Sequence, residues 1–201
     1  GLPACAGLIL CAQPLLSILF QYGRSDAAEV RMASWSLMAQ SIAVPAFLLV
    51  KVLAPAFYSR QDTRTPVKAA VVAVLTNAFC TLLFFAAMLY GTEPGRQALQ
   101  AAGGDLKLAL GQVEGAHALL ALAIAVAGWV NALQLAWLLR KAGVYRRQPG
   151  WGRFLRQIGV ATVAMTLVVL AFRVLWPDWT PWAWWDRGWR LAVMVGAGGG
   201  R

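Results

Sequence analysis

Acidic side chains are scarce in this chain: eight Asp and Glu stand against 18 Lys and Arg. All eight fall between apolar runs or at their ends, so no carboxylate is placed to relay a proton through a membrane interior. Histidine occurs once, at His117, and cysteine three times, at Cys5, Cys11 and Cys80, never in CxxC spacing. That pattern supports neither a metal site nor a disulfide framework, and the cysteines read as small apolar residues inside helices. HExxH, a P-loop, a Ser/His/Asp set and paired intramembrane carboxylates are all missing, which argues against an enzyme. No cofactor is implied. No internal repeat is visible, and the basic residues form no aromatic-interleaved stripe of the kind that binds nucleic acid.

Charge of either sign is also rare, at 13% of residues, while 60% are hydrophobic and the mean hydropathy is +0.61. A soluble domain of this size would have too little polar surface. The apolar residues fall into five runs, 2–20, 33–57, 67–90, 116–139 and 154–175, with a sixth beginning near Trp189. A helix needs roughly 20 apolar residues to cross about 30 Å of hydrocarbon, so these runs predict an all-α, polytopic transmembrane bundle of about six helices. The chain opens at Gly1 inside an apolar run with no charged stretch before it, which is not the form of a signal peptide. That start and the Gly-rich ending after Val195 are read as cuts through a larger protein.

The loops carry a topological signal. Arg60, Arg64 and Lys68 face a single Asp62 after the second run. Arg140, Lys141, Arg146, Arg147, Arg153 and Arg156 follow the fourth with no acid among them. The other loops balance their charge: Arg24 and Arg31 with Asp26 and Glu29, and Arg96 and Lys107 with Glu93, Asp105 and Glu114. In the last, Arg187 and Arg190 accompany Asp178 and Asp186. The two basic loops are the two that alternation puts on one side, and the positive-inside rule makes that side cytoplasmic. Trp176, Trp179, Trp182, Trp184, Trp185 and Trp189 suit an interfacial belt on the opposite side, and Tyr145 and Trp151 one on the cytoplasmic side. The long loop 91–115 permits a short amphipathic helix around 97–110, lying on the outer surface.

Inside the runs the chemistry is proline and neutral polar groups. Pro14 lies in the first run, and Pro45 and Pro55 both interrupt the second, so a bent and movable second helix is expected beside the alternative of a static kink. Lys51 stands seven residues before Tyr58, about 10 Å of helix rise. Its side chain either snorkels to the interface or faces a hydrated cavity and an anionic ligand. Gln40, Asn77, Asn131 and Gln134 are further polar candidates, for substrate contact or for bonding between helices.

The segment Lys51-Val-Leu-Ala-Pro-Ala-Phe-Tyr-Ser-Arg-Gln-Asp-Thr-Arg-Thr-Pro-Val-Lys68 resembles the MurJ (MviN) family of lipid II flippases, in the multidrug/oligosaccharidyl-lipid/polysaccharide exporter superfamily. Leu19-Phe-Gln-Tyr-Gly23 and Gln148-Pro-Gly-Trp151 support it. The resemblance implies fourteen helices in two lobes, with the six runs here similar to the last six. It implies four spans of the C-terminal lobe over 1–139, a basic cytoplasmic loop over 140–153, and two final helices over 154–201, the last incomplete, that form a groove for a polyprenyl tail. The implied activity is movement of lipid II, an undecaprenyl-diphosphate-linked disaccharide-pentapeptide, across the bacterial inner membrane by alternating access, with membrane lipids and an N-terminal lobe as partners. Lys51, Gln40 and Asn77 are then the candidate substrate contacts. Arg60, Gln61, Asp62, Thr63 and Arg64 form a candidate cytoplasmic gate, and Pro14, Pro45 and Pro55 are candidate kinks. Two other readings are an exporter of another polyprenyl-linked sugar or a drug, and a non-transporting scaffold.

Overall fold

The computed structural model describes residues 1–20, 27–113, 115–143, 151–175 and 184–198. Among them are nine helices: α1 (Leu2–Phe20), α2 (Ala27–Ser41), α3 (Ala43–Tyr58), α4 (Arg64–Gly91), α5 (Glu93–Ala101), α6 (Leu106–Gln112), α7 (Ala116–Lys141), α8 (Trp151–Leu175) and α9 (Trp184–Gly198). Five stretches are long and apolar enough to cross a bilayer: Leu2–Leu19, Glu29–Tyr58, Arg64–Gly91, Ala116–Lys141 and Gly152–Phe172. The chain is therefore an all-α, multi-pass membrane bundle.

α7 is the hub, packing against α2, α3 and α4. Its buried face is built from Ala116, Ala121, Ala123, Ala125, Ala127, Gly128 and Ala132. Lipid tails are as apolar as leucine, so burying large side chains gives little drive for helices to associate in a bilayer; small residues that let backbones approach do more. The large apolar residues accordingly point outward, with Val71, Val74, Leu75, Phe79 and Leu82 of α4 all exposed. Phe57 of α3, Ala69 of α4, and Leu135 and Leu139 of α7 form one buried cluster. That cluster ties the α3–α4 turn to the C-terminus of α7, so Arg60 and Arg64 lie at the same end of the bundle as Arg140 and Lys141. α8 and α9 pack on α1 and on each other, a separate pair at the flank.

Three expectations change. The second run is one span made of two segments, α2 and α3, interrupted at the single residue Ile42, which keeps helical φ −63° and ψ −27°, one turn before Pro45. Pro45 has no N–H for the Ser41 carbonyl, and proline is tolerated in the first turn of a helix, so the chain restarts there. Ile42 N–H instead makes a tighter bond to the Ala39 carbonyl, 3.3 Å. α1 and α3 continue through Pro14 and Pro55. The amphipathic helix of the long loop is likewise divided into α5 and α6, because Gly103 and Gly104 take φ of +60° and +89°, a left-handed conformation that ends a helix. The last helix starts at Trp184, earlier than Trp189. Arg24, Asp26, Glu114, Tyr145, Arg146, Arg147, Trp176, Asp178, Trp179 and Trp182 lie outside the described residues, as do most of the two short motifs.

Candidate functional site

The α3–α4 turn has a defined hydrogen-bonding pattern. α3 ends with Gln61 N–H donating to the Tyr58 carbonyl at 2.9 Å and Asp62 N–H donating to the Phe57 carbonyl at 3.1 Å. This pair of bonds is the Schellman helix ending, which puts one residue in the left-handed region and favours glycine there. Here that residue is Gln61, at φ +58°. Asp62 then accepts from the Thr65 N–H at 3.1 Å, satisfying a free donor of the first turn of α4. Thr63 precedes α4 directly but makes no side-chain cap. Hydrogen bonds from Thr65, with lesser help from the Arg64 backbone and the Arg60 charge, hold the Asp62 carboxyl below its usual range. The only acid of this turn is thus engaged by the backbone, while Arg60 and Arg64 are exposed. At the same end, Lys141 Nζ lies 5.2 Å from the Trp137 ring centroid, a cation over an aromatic face of the kind found at membrane interfaces.

The polar candidates within the spans do not meet at one place. Asn77 of α4 and Asn131 of α7 share a cavity of about 250 Å³ with Phe47 of α3 and Ala127 and Gly128 of α7. Their Oδ1 atoms are buried without a hydrogen-bond partner. Lys51 is exposed on α3 and Gln40 half-buried on α2, and neither lines this cavity. A second cavity, about 550 Å³, opens at the other end of the bundle between α2 and the start of α7, lined by Glu29, Met32, Ser36 and His117 among others. Among the described residues, no three His, Cys, Asp or Glu side chains gather as metal ligands would.

One residue escaped the sequence reading. Trp129 sits in the middle of α7, and its indole N–H donates to the Ile42 carbonyl at the α2–α3 break, 3.0 Å away. A tryptophan far from both ends of an apolar run is not an interfacial anchor, and its N–H needs a partner when buried in hydrocarbon. Those two facts could have marked it, but not the carbonyl it would find.

The sequence profile described as "Lipid II flippase MurJ" matches residues 1–91. A probable lipid II flippase MurJ of Vibrio cholerae is 31% identical over 200 residues, covering 98% of this chain and 33% of the relative. The lipid II flippase MurJ of Burkholderia cenocepacia is 34% identical over 167 residues, 83% of this chain and 27% of the relative. A probable lipid II flippase MurJ of Haemophilus influenzae is 31% identical over 195 residues, 97% of this chain and 32% of the relative. The chain thus spans about a third of the length of these curated relatives or less. An all-α multi-pass bundle, aligned over nearly its whole length with several such proteins, belongs to the lipid II flippase MurJ family.

Proposed function

We propose that this chain works as part of a flippase that carries lipid II across the bacterial inner membrane by alternating access. The observation that carries the reading is the alignment of 98% of the chain with a probable lipid II flippase. The basic end, with Arg60, Arg64, Lys68, Arg140 and Lys141, faces the cytoplasm, and α5 and α6 face outward. The substrate is a lipid diphosphate, and Lys51 adds positive potential for it once the rest of the transporter encloses a cavity beside α3. Gln40 and Asn77 are weaker contacts. α8 and α9 contribute to the groove for the polyprenyl tail. Arg60, and secondarily Arg64, pairs with a carboxylate of an N-terminal lobe when the cytoplasmic side is closed. An exposed ion pair is worth only about 0–1 kcal/mol, weak enough for a gate that must reopen.

The test is a chimera in which residues 1–198 replace the aligned segment of the Vibrio cholerae relative, expressed in cells depleted of their own flippase. Growth with lipid II reaching the outer leaflet is expected. A chimera of normal membrane abundance and thermal stability that leaves lipid II on the inner leaflet would overturn the reading, in favour of a scaffold or an exporter of something else.

A further inference from the structure

The stretch Glu29–Tyr58 is one membrane span by length and composition, yet its regular hydrogen bonding is interrupted at Ile42, whose backbone stays helical at φ −63° and ψ −27°. Pro45 leaves the Ser41 carbonyl without its intrahelical donor. Ser34, Ser36 and Ser41 all turn their hydroxyls back onto carbonyls four residues earlier, at 2.6, 3.3 and 2.7 Å, an arrangement that bends helices. The break therefore has its causes within α2 and α3. One bond to it comes from elsewhere: the Trp129 indole N–H donates to the Ile42 carbonyl, reaching 87 residues along the chain.

The surroundings leave α3 room to move. Next to Trp129, Gly128 has no side chain, and a methyl there would stand 3.1 Å from Phe47 Cε1 and 3.7 Å from Ala46 Cβ. Phe47 thus lies close over α7 on one side, and on the other it forms a wall of the 250 Å³ cavity. α3 packs mainly on α7 and only lightly on α1, α2 and α4. On its cavity side the Phe47 ring borders free space, while the far end of α3 is held by Phe57 in the buried cluster.

We propose that Ile42 is a hinge and that Trp129 is the positioning residue that sets its angle, with Gly128 and the adjoining cavity giving Phe47 its clearance. The part that swings, Ala43–Tyr58, carries Lys51 and ends in the Arg60–Arg64 turn. The hinge stands on the geometry of α2, α3 and α7 alone, and it holds whatever the transported molecule is.

The test uses the chain in lipid nanodiscs with Cys5, Cys11 and Cys80 replaced by alanine, and spin labels on cysteines introduced at Ala33 and Ser59. α3 is 16 residues long, about 24 Å at 1.5 Å per residue, so a change of about 10° at Ile42 moves its far end by about 4 Å. Trp129→Phe keeps an aromatic ring and removes the donor, and should broaden or shift the label distance by about that amount. Pro45→Ala restores the missing N–H, and should narrow the distribution. In the double variant Pro45→Ala/Trp129→Phe the distribution should stay as narrow as in Pro45→Ala, because a helix with its bonds restored no longer needs the indole. An unchanged distribution in Trp129→Phe would overturn the hinge, as would no narrowing in Pro45→Ala. A double variant as broad as Trp129→Phe alone would reduce Trp129 to packing and overturn its positioning role.

Discussion

Single residues of the α3–α4 turn carry opposing demands. Gln61 holds a left-handed conformation that costs a residue with a Cβ roughly 1–2 kcal/mol, and glycine would remove that strain. Gln61→Gly is therefore expected to stabilise the chain against denaturant by up to about 1 kcal/mol. If its carboxamide serves the gate, the same change in the chimera lowers flipping while raising stability. Asp62 acts in the other direction. Its carboxyl is depressed in the folded chain, so its contribution is present above the unfolded carboxylate value, about 3.9, and is lost as pH falls through the lower folded value. Thermal melting of Asp62→Asn should lie below the parent at neutral pH, and the two should converge as the pH drops below about 4. Convergence at neutral pH would remove Asp62 from the stability of the turn. Lys51 gives the third test at this scale. Lys51→Ala in the chimera should impair growth with abundance unchanged, whereas normal growth with Lys51→Met would assign the lysine to snorkelling.

Among the elements, the long loop depends on a single glycine. α5 lies against the end of α4 because Gly95 is buried there, where a methyl would overlap the Met88 carbonyl oxygen. Thr92 joins the two helices, its hydroxyl donating to the Met88 carbonyl at 2.6 Å and accepting from Gly95 N–H at 3.2 Å. Gly95→Ala should therefore lift α5 from α4 without disturbing the spans. Hydrogen exchange within Glu93–Ala101 is expected to rise while α4 up to Phe85 and α7 stay protected. Unchanged exchange in α5 would show that the backbone can shift to accept the methyl. α6 adds to this cap an exposed pair, Leu106 and Leu108, on either side of Lys107.

At the scale of the whole molecule the central statement is sidedness. After replacement of Cys5, Cys11 and Cys80, a cysteine at Gly103 should react with an impermeant thiol reagent in intact spheroplasts. One at Ser59 should react only after lysis. The reverse pattern would invert the orientation drawn from the loop charges. The buried cluster of Phe57, Ala69, Leu135 and Leu139 holds the end of α3, the start of α4 and the end of α7 together, so none of these three can be turned over alone without breaking it. By the positive-inside rule the expected sidedness follows from the summed charge of the two ends.

Local composition was enough for the spans. Runs near 20 apolar residues have one stable form in hydrocarbon, a helix that satisfies its own backbone. The run 2–20 accordingly returns as α1 and 116–139 as α7, extended by Arg140 and Lys141. The basic turn was legible for the same reason, since charge excluded from the bilayer marks its own place, and Lys51 to Lys68 carried enough particular residues to identify a family. Composition could not say where α2 would stop, because a proline in the first turn of a new helix and one inside a helix read alike. Pro45 follows a break and Pro55 lies within a continuous α3. The bond from Trp129 to Ile42 and the cavity shared by Asn77 and Asn131 were beyond it too. Residues 87 and 54 positions apart meet only because α7 is lined with alanine and glycine, which bring three other helices close enough for particular side chains to touch. Hydropathy sums over a window, whereas contact depends on which few atoms face each other across a packed interface, and only the assembled bundle chooses those.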